Sequence, residues 1–135
     1  MRTVLVVDDD SDIRSLISWK LSLAGYATIA AADGAAALVA AAGESPDAPG
    51  LRPDLVLLDW TMPRMSGIEV CQALRANPDT AGIPIILLTA KAQESELTQG
   101  LAAGADEYIV KPFSPGELLR RVTALLDAVD ARAGI

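Results

Sequence analysis

The 135-residue chain contains no histidine, and that absence excludes whole classes of chemistry. It removes Ser-His-Asp and Cys-His catalysis, histidine-containing zinc sites and imidazole acid–base steps. The chain also cannot itself carry a phosphohistidine. Cysteine is nearly as scarce: Cys71 stands alone, so no internal disulfide can form, and a reducing cytosol fits best. No apolar run reaches the roughly 18 residues that a membrane span needs. Met1-Arg2-Thr3 leads straight into a strand-like stretch, without the layout of a secretory signal. These features predict a cytoplasmic protein with no membrane partner. Basic charge is in deficit, with 11 Lys and Arg against 18 Asp and Glu, a formal net charge of −7. Such a balance argues against direct binding to nucleic acid, whose backbone demands basic patches. Chemistry must run on carboxylates, hydroxyls, lysine or the one thiol.

What is present suits one compact domain over residues 1–129, with a frayed tail or the start of a linker over 130–135. Five apolar runs alternate with five helix-like segments, the pattern of a parallel α/β sheet. Strands are expected at Thr3–Val7, Ala27–Ala31, the run Leu55–Leu58 that ends at Asp59, Pro84–Leu88 and Glu107–Val110. The first helix runs from Asp12 to about Leu23, with Ile13, Leu16, Ile17, Leu21 and Ala24 at helical spacing, Ser11 as N-cap and Gly25 as its stop. Asp33-Gly34 reads as a turn before an alanine-rich helix to about Ala42. Gly43 to Pro53, rich in Gly, Pro, Ser and Asp, reads as a long mobile surface loop. Ser66-Gly67-Ile68-Glu69 and Ser114-Pro115-Gly116-Glu117 have the spacing of capping boxes that open the third and fifth helices. The fourth helix spans about Gln93 to Ala103. Cys71 falls in register with Ile68 and Leu74, which points to core packing rather than redox chemistry.

Four of the five apolar runs end on a chemically active residue: Asp8-Asp9-Asp10, Asp59, Thr89 and Lys111. Ligands of doubly wound sheets bind at the carboxyl ends of the strands. Each residue alone has an ordinary explanation. Acids before a helix complement its dipole, Asp59 ends a strand, Thr89 is a strand-edge hydroxyl, and Lys111 precedes a proline. Together, each after its own strand, they form a different object. Three aspartates repel unless a cation neutralises them, and oxygen ligands with room for water suit Mg²⁺. An aspartate nucleophile makes an acyl phosphate, and a phosphoryl group in transfer needs a cation and donors around its oxygens.

The stretches VLVVDDD, LVLLDWTMPRMSG, ILLTA and ADEYIVKPF resemble the response-regulator receiver family of bacterial two-component signalling, and the resemblance covers nearly the whole chain. It implies a flavodoxin-like doubly wound (βα)5 fold, with a five-stranded parallel sheet in the order 2-1-3-4-5. It implies that Asp59 is the phosphoacceptor, loaded from a phosphohistidine on a sensor histidine kinase or a histidine phosphotransfer protein. Asp9 and Asp59 would ligate Mg²⁺, or Mn²⁺ in its place, with the Thr61 carbonyl as a third ligand and Asp8 acting partly through water. Thr89 and Lys111 would contact the phosphoryl group, and Lys111-Pro112 would be cis. Thr89 and Tyr108 would form the switch pair that reshapes the surface of helix four, strand five and helix five. Thr61 and Lys91, two residues beyond Asp59 and Thr89, would tune phosphoryl lifetime. The protein would be a regulatory phosphoacceptor rather than an enzyme, catalysing only its own phosphorylation and dephosphorylation. Its output would pass to a downstream protein target or effector domain.

Two departures qualify the resemblance. The Gly43–Pro53 loop is several residues longer than usual for the family. Glu107, Glu117 and Arg121 suit a homodimer through helix four, strand five and helix five, but Leu97 stands where such dimers commonly carry a basic residue. The enzymatic alternative is a haloacid-dehalogenase-type Mg²⁺ phosphatase with Asp8 as nucleophile, although Asp12 replaces the Thr or Val of that motif. A flavodoxin-like cofactor module would need a phosphate loop of Gly, Ser or Thr in place of three aspartates. A degenerate receiver serving only as a scaffold would be expected to lack site residues, and here all are present.

Overall fold

A computed structural model describes residues 2–90 and 93–132. The chain alternates strictly between strand and helix: β1 (Thr3–Val7), α1 (Ser11–Leu23), β2 (Ala27–Ala31), α2 (Gly34–Ala41), β3 (Leu55–Asp59), α3 (Gly67–Ala76), β4 (Ile85–Thr89), α4 (Glu94–Ala102), β5 (Glu107–Val110) and α5 (Pro115–Arg132). All strand pairs are parallel, in the order β2-β1-β3-β4-β5. The order reverses between β1 and β3, so the connections from their carboxyl ends lead to helices on opposite faces and leave a crevice there.

Strands β1, β3 and β4 are buried along their whole length, which explains their continuous apolar runs. Alternate residues serve opposite faces. Val4, Val6, Leu55, Leu57, Ile86 and Leu88 pack with Ile17 and Leu21 of α1 and Leu118, Val122, Leu125 and Leu126 of α5. Leu5, Val7, Val56, Leu58, Ile85 and Leu87 pack with the alanines of α2 and with Ile68, Val70, Cys71 and Leu74 of α3. Cys71 is buried and its thiol faces the Ala103 carbonyl at 3.4 Å, while burial pushes its pKa up. That is a packing role. Helix α4 buries only Gly100, so it is the least anchored of the five.

Several local expectations shift. Asp10, not Ser11, caps α1: its carboxylate accepts the N–H groups of Asp12 and Ile13, and a carboxylate at a helix start also answers the dipole. Asp33-Gly34 is not a free turn, because Asp33 caps α2 through the Ala36 N–H. Leu16 is 45% exposed and lines up with Trp19 and Leu23 on an outer stripe of α1, away from the Ile17 and Leu21 face. The Gly43–Pro53 loop is folded onto the domain: Ser45 and Pro53 are buried, and the Gly50 N–H closes on the Gly43 carbonyl at 2.8 Å. Ser66 and Glu69 complete the capping box of α3, and the Ser114 hydroxyl accepts the Glu117 N–H at the start of α5. Helix α5 continues past Val129 to Arg132, and Asp130 is ion-paired with Arg2 at the start of β1.

Candidate functional site

The crevice beyond β1 and β3 brings together what the strand ends carry. Pairing in register sets Val7 opposite Leu58, so Asp8 and Asp59 leave the sheet side by side. Asp8, Asp9 and Asp59 each place a carboxylate oxygen within 4.8 Å of the others. Asp8 and Asp59 are buried, whereas Asp9 is open to solvent. Lys111 reaches in from the end of β5, its Nζ 3.1 Å from Asp59 Oδ1 and 3.4 Å from Asp8 Oδ2. Its backbone N–H donates to the Thr89 carbonyl at 2.7 Å, and the Lys111-Pro112 bond is cis.

Asp59 is locked from both sides. Its neighbour Trp60 donates its N–H to the Leu88 carbonyl and accepts from Gly67. A Cβ at Gly67 would lie 2.4 Å from the Asp59 carbonyl oxygen, so only glycine lets α3 start this close to the Asp59 backbone. Burial raises the Asp59 pKa from 3.8 to about 6; the Lys111 hydrogen bond and the Thr61 backbone N–H pull against this, and the Asp8 charge adds to it. Burial pulls the Lys111 ammonium down, but its contacts with Asp59 and Asp8 outweigh that and hold its pKa above the ordinary lysine value.

These donors fit a hard divalent cation. They are three carboxylates with no soft ligand, and exposed Asp9 leaves space for the waters that Mg²⁺ retains. Thr89 is buried at the end of β4. Tyr108 is half-buried, packed against the α2–α3 side of the core. Thr61 is exposed just past Asp59, and Lys91 lies outside the described residues. Asp10 turns away from the cluster into its capping role.

Two arginines escaped the strand-end logic. Arg14 of α1 donates to the Asp8 carbonyl at 2.7 Å. Arg75 of α3 binds the carbonyls of Gly104, Ala81 and Ile83 and the Asp106 carboxylate at the opposite edge of the sheet. For Arg14 one signal was available: a cation in the first turns of a helix opposes the dipole and needs a reason.

Fold and site together define a doubly wound α/β domain with an acidic, lysine-bridged cluster, able to hold a cation, at the carboxyl edge of its sheet. The chain belongs to the response regulator receiver domain family, whose model matches residues 4–123. It is 44% identical over 125 residues to the phosphate regulon transcriptional regulatory protein PhoB of Pseudomonas aeruginosa, covering 93% of this chain and 52% of that protein. It is 46% identical over 123 residues to the DNA-binding response regulator MtrA of Mycobacterium tuberculosis, covering 91% and 50%. The chain thus spans about half the length of these curated relatives. Among solved structures, the chemotaxis response regulator CheY4 of Vibrio cholerae superposes with a TM-score of 0.82 at 36% identity, covering 92% of this chain and 98% of that one. Family membership sets aside the haloacid-dehalogenase and cofactor-module alternatives.

Proposed function

We propose that this domain is the phosphoacceptor of a two-component relay and that Asp59 is the residue modified. The donor is a phosphohistidine on a sensor histidine kinase or a histidine phosphotransfer protein. An Asp59 carboxylate oxygen forms the new P–O bond, the P–N bond breaks, and the imidazole departs with the electron pair. With a pKa of about 6, Asp59 is mostly ionised at neutral pH and ready to attack. Asp8, Asp9 and Asp59, with the Thr61 carbonyl, are the groups that would hold Mg²⁺ or Mn²⁺. A cation held there would offset charge on the transferred oxygens. Lys111 and the Thr89 hydroxyl supply further donors to those oxygens. Such a domain catalyses only its own phosphorylation and dephosphorylation.

The output surface is α4, β5 and α5. Thr89 moves toward the phosphoryl oxygens and Tyr108 turns inward behind it, a local charge event biasing a two-state element. The thin anchoring of α4 suits that role. Arg121 is paired with Glu107 and with the Tyr108 carbonyl within the chain, so a homodimer through this face must exchange those bonds for contacts with its partner. The downstream target is a protein or an effector domain, and the setting is cytoplasmic.

What carries this reading is the Lys111 ammonium, 3.1 Å from Asp59 inside a cluster of three carboxylates. Incubation with labelled acetyl phosphate and Mg²⁺ tests it: wild type takes up label and Asp59→Asn does not. Uptake by Asp59→Asn at the wild-type rate refutes the assignment.

A further inference from the structure

We propose that Arg14 is a positioning residue for the cation site, acting on the backbone that aims Asp9. The inference rests on the metal-assisted reading of Asp8, Asp9 and Asp59. Asp9 is exposed, so its carboxylate direction depends on the chain that carries it. That chain is pinned at four points. The Asp8 N–H donates to Ala31 at 3.2 Å, and the Asp10 carbonyl accepts the Arg14 N–H at 3.0 Å. The Asp10 N–H donates to Asp8 Oδ1 at 2.9 Å. The Arg14 guanidinium donates to the Asp8 carbonyl at 2.7 Å. That last bond sets the plane of the peptide joining Asp8 to Asp9, and a peptide is rigid. It therefore orients the departure of Asp9 toward Asp59.

The choice of acceptor is informative. Arg14 follows three aspartates, yet among the described residues it pairs with no carboxylate. Its cation is spent on a carbonyl, leaving the acid oxygens for a metal. It also sits in the early turns of α1, where the helix dipole disfavours positive charge. Lys111 is different, since it bonds the carboxylates of Asp59 and Asp8 directly.

Charge and positioning predict opposite signs. As a nearby cation, Arg14 repels Mg²⁺, so a neutral substitution should tighten binding on charge grounds alone. As a positioning residue, its loss should weaken binding, and supporting groups around metal ligands typically command tenfold or more in affinity. The test is titration calorimetry with MgCl₂ on the full chain, for wild type, Arg14→Met, Arg14→Gln and Arg14→Lys, with thermal melts alongside. The two neutral variants should bind Mg²⁺ about tenfold more weakly or worse. Arg14→Lys, which keeps a cationic donor, should recover most of that loss. Arg75→Met serves as control, losing melting temperature without losing Mg²⁺ affinity.

Neutral variants that bind Mg²⁺ as tightly as wild type, or more tightly, overturn the proposal. Arg14→Met and Arg14→Gln are independent neutral replacements, so a folding failure of one leaves the other to decide the comparison with wild type and Arg14→Lys. Wild type that binds no Mg²⁺, or binding that survives Asp9→Ala, would overturn the metal-site reading and this proposal with it.

Discussion

Replacing Asp59 with asparagine should stabilise the metal-free protein at neutral pH while abolishing its proposed chemistry. The folded state raises the Asp59 pKa from 3.8 to about 6, chiefly by burial. A carboxyl group with a raised pKa binds its proton more tightly folded than unfolded. Its contribution is therefore most favourable below pH 3.8 and is progressively lost as pH rises toward 6. At about 1.4 kcal/mol per tenfold in proton affinity, the ionised group costs at most about 3 kcal/mol above pH 7. Lys111 offsets part of the gain in the mutant, because its ammonium then keeps only Asp8 as a carboxylate partner. A net gain of about 1–2 kcal/mol is expected for Asp59→Asn in EDTA at pH 7.5, read from urea unfolding midpoints. At pH 4 most of that gain should vanish, and Mg²⁺ at pH 7.5 should raise the stability of wild type alone. Asp59→Asn that is no more stable than wild type at pH 7.5, or equally stabilised at pH 4, would refute the burial argument.

Mg²⁺ affinity should fall as pH drops below about 6, approaching tenfold per pH unit, since the proton on Asp59 must leave before the oxygen can ligate. Calorimetry at pH 7.5 and 5 measures this, and a pH-independent affinity contradicts it. Gly67→Ala places a methyl 2.4 Å from the Asp59 carbonyl oxygen and 2.9 Å from Trp60 Cα, both backbone, so nothing flexible can yield. A loss of about 3 kcal/mol or more is expected by thermal or urea unfolding, and a loss under about 1 kcal/mol would show that α3 can simply retreat. Arg75→Met strips hydrogen bonds from the carbonyls of Gly104, Ala81 and Ile83 and from Asp106. Urea unfolding should register a loss of about 2–3 kcal/mol, and a loss below about 1 kcal/mol would mean that water replaces those bonds freely.

The alternation of strands and helices was legible because burial on both faces forces β1, β3 and β4 to be continuously apolar. The candidate site residues were legible for a related reason, as each interrupts such a run where the strand ends. What was not legible follows from degeneracy. Ser11 and Asp10 are both good caps, and only the geometry of the turn shows that Asp10 reaches the N–H groups of Asp12 and Ile13. Leu16 fits the helical spacing as well as Ile17 does, yet α1 turns the face of Ile17 and Leu21 to the sheet and leaves Leu16 outside. The composition of the Gly43–Pro53 loop suggests mobility, while buried Ser45 and Pro53 hold it down.

The sequence alone determined that four strand ends carry carboxylates, a hydroxyl and an ammonium, because local periodicity reveals where strands stop. It could not place Asp8 beside Asp59, or bring Lys111 within 3.1 Å of it, across separations of 51 and 52 residues. Those distances are set by strand order and register, which depend on pairing between segments remote in the chain. Only the tertiary structure decided, too, that Asp10 leaves the acid cluster to cap α1 and that Arg14 turns toward the Asp8 carbonyl. A side chain with several chemically acceptable partners takes the one that folding brings within reach, and that selection is a property of the packed chain.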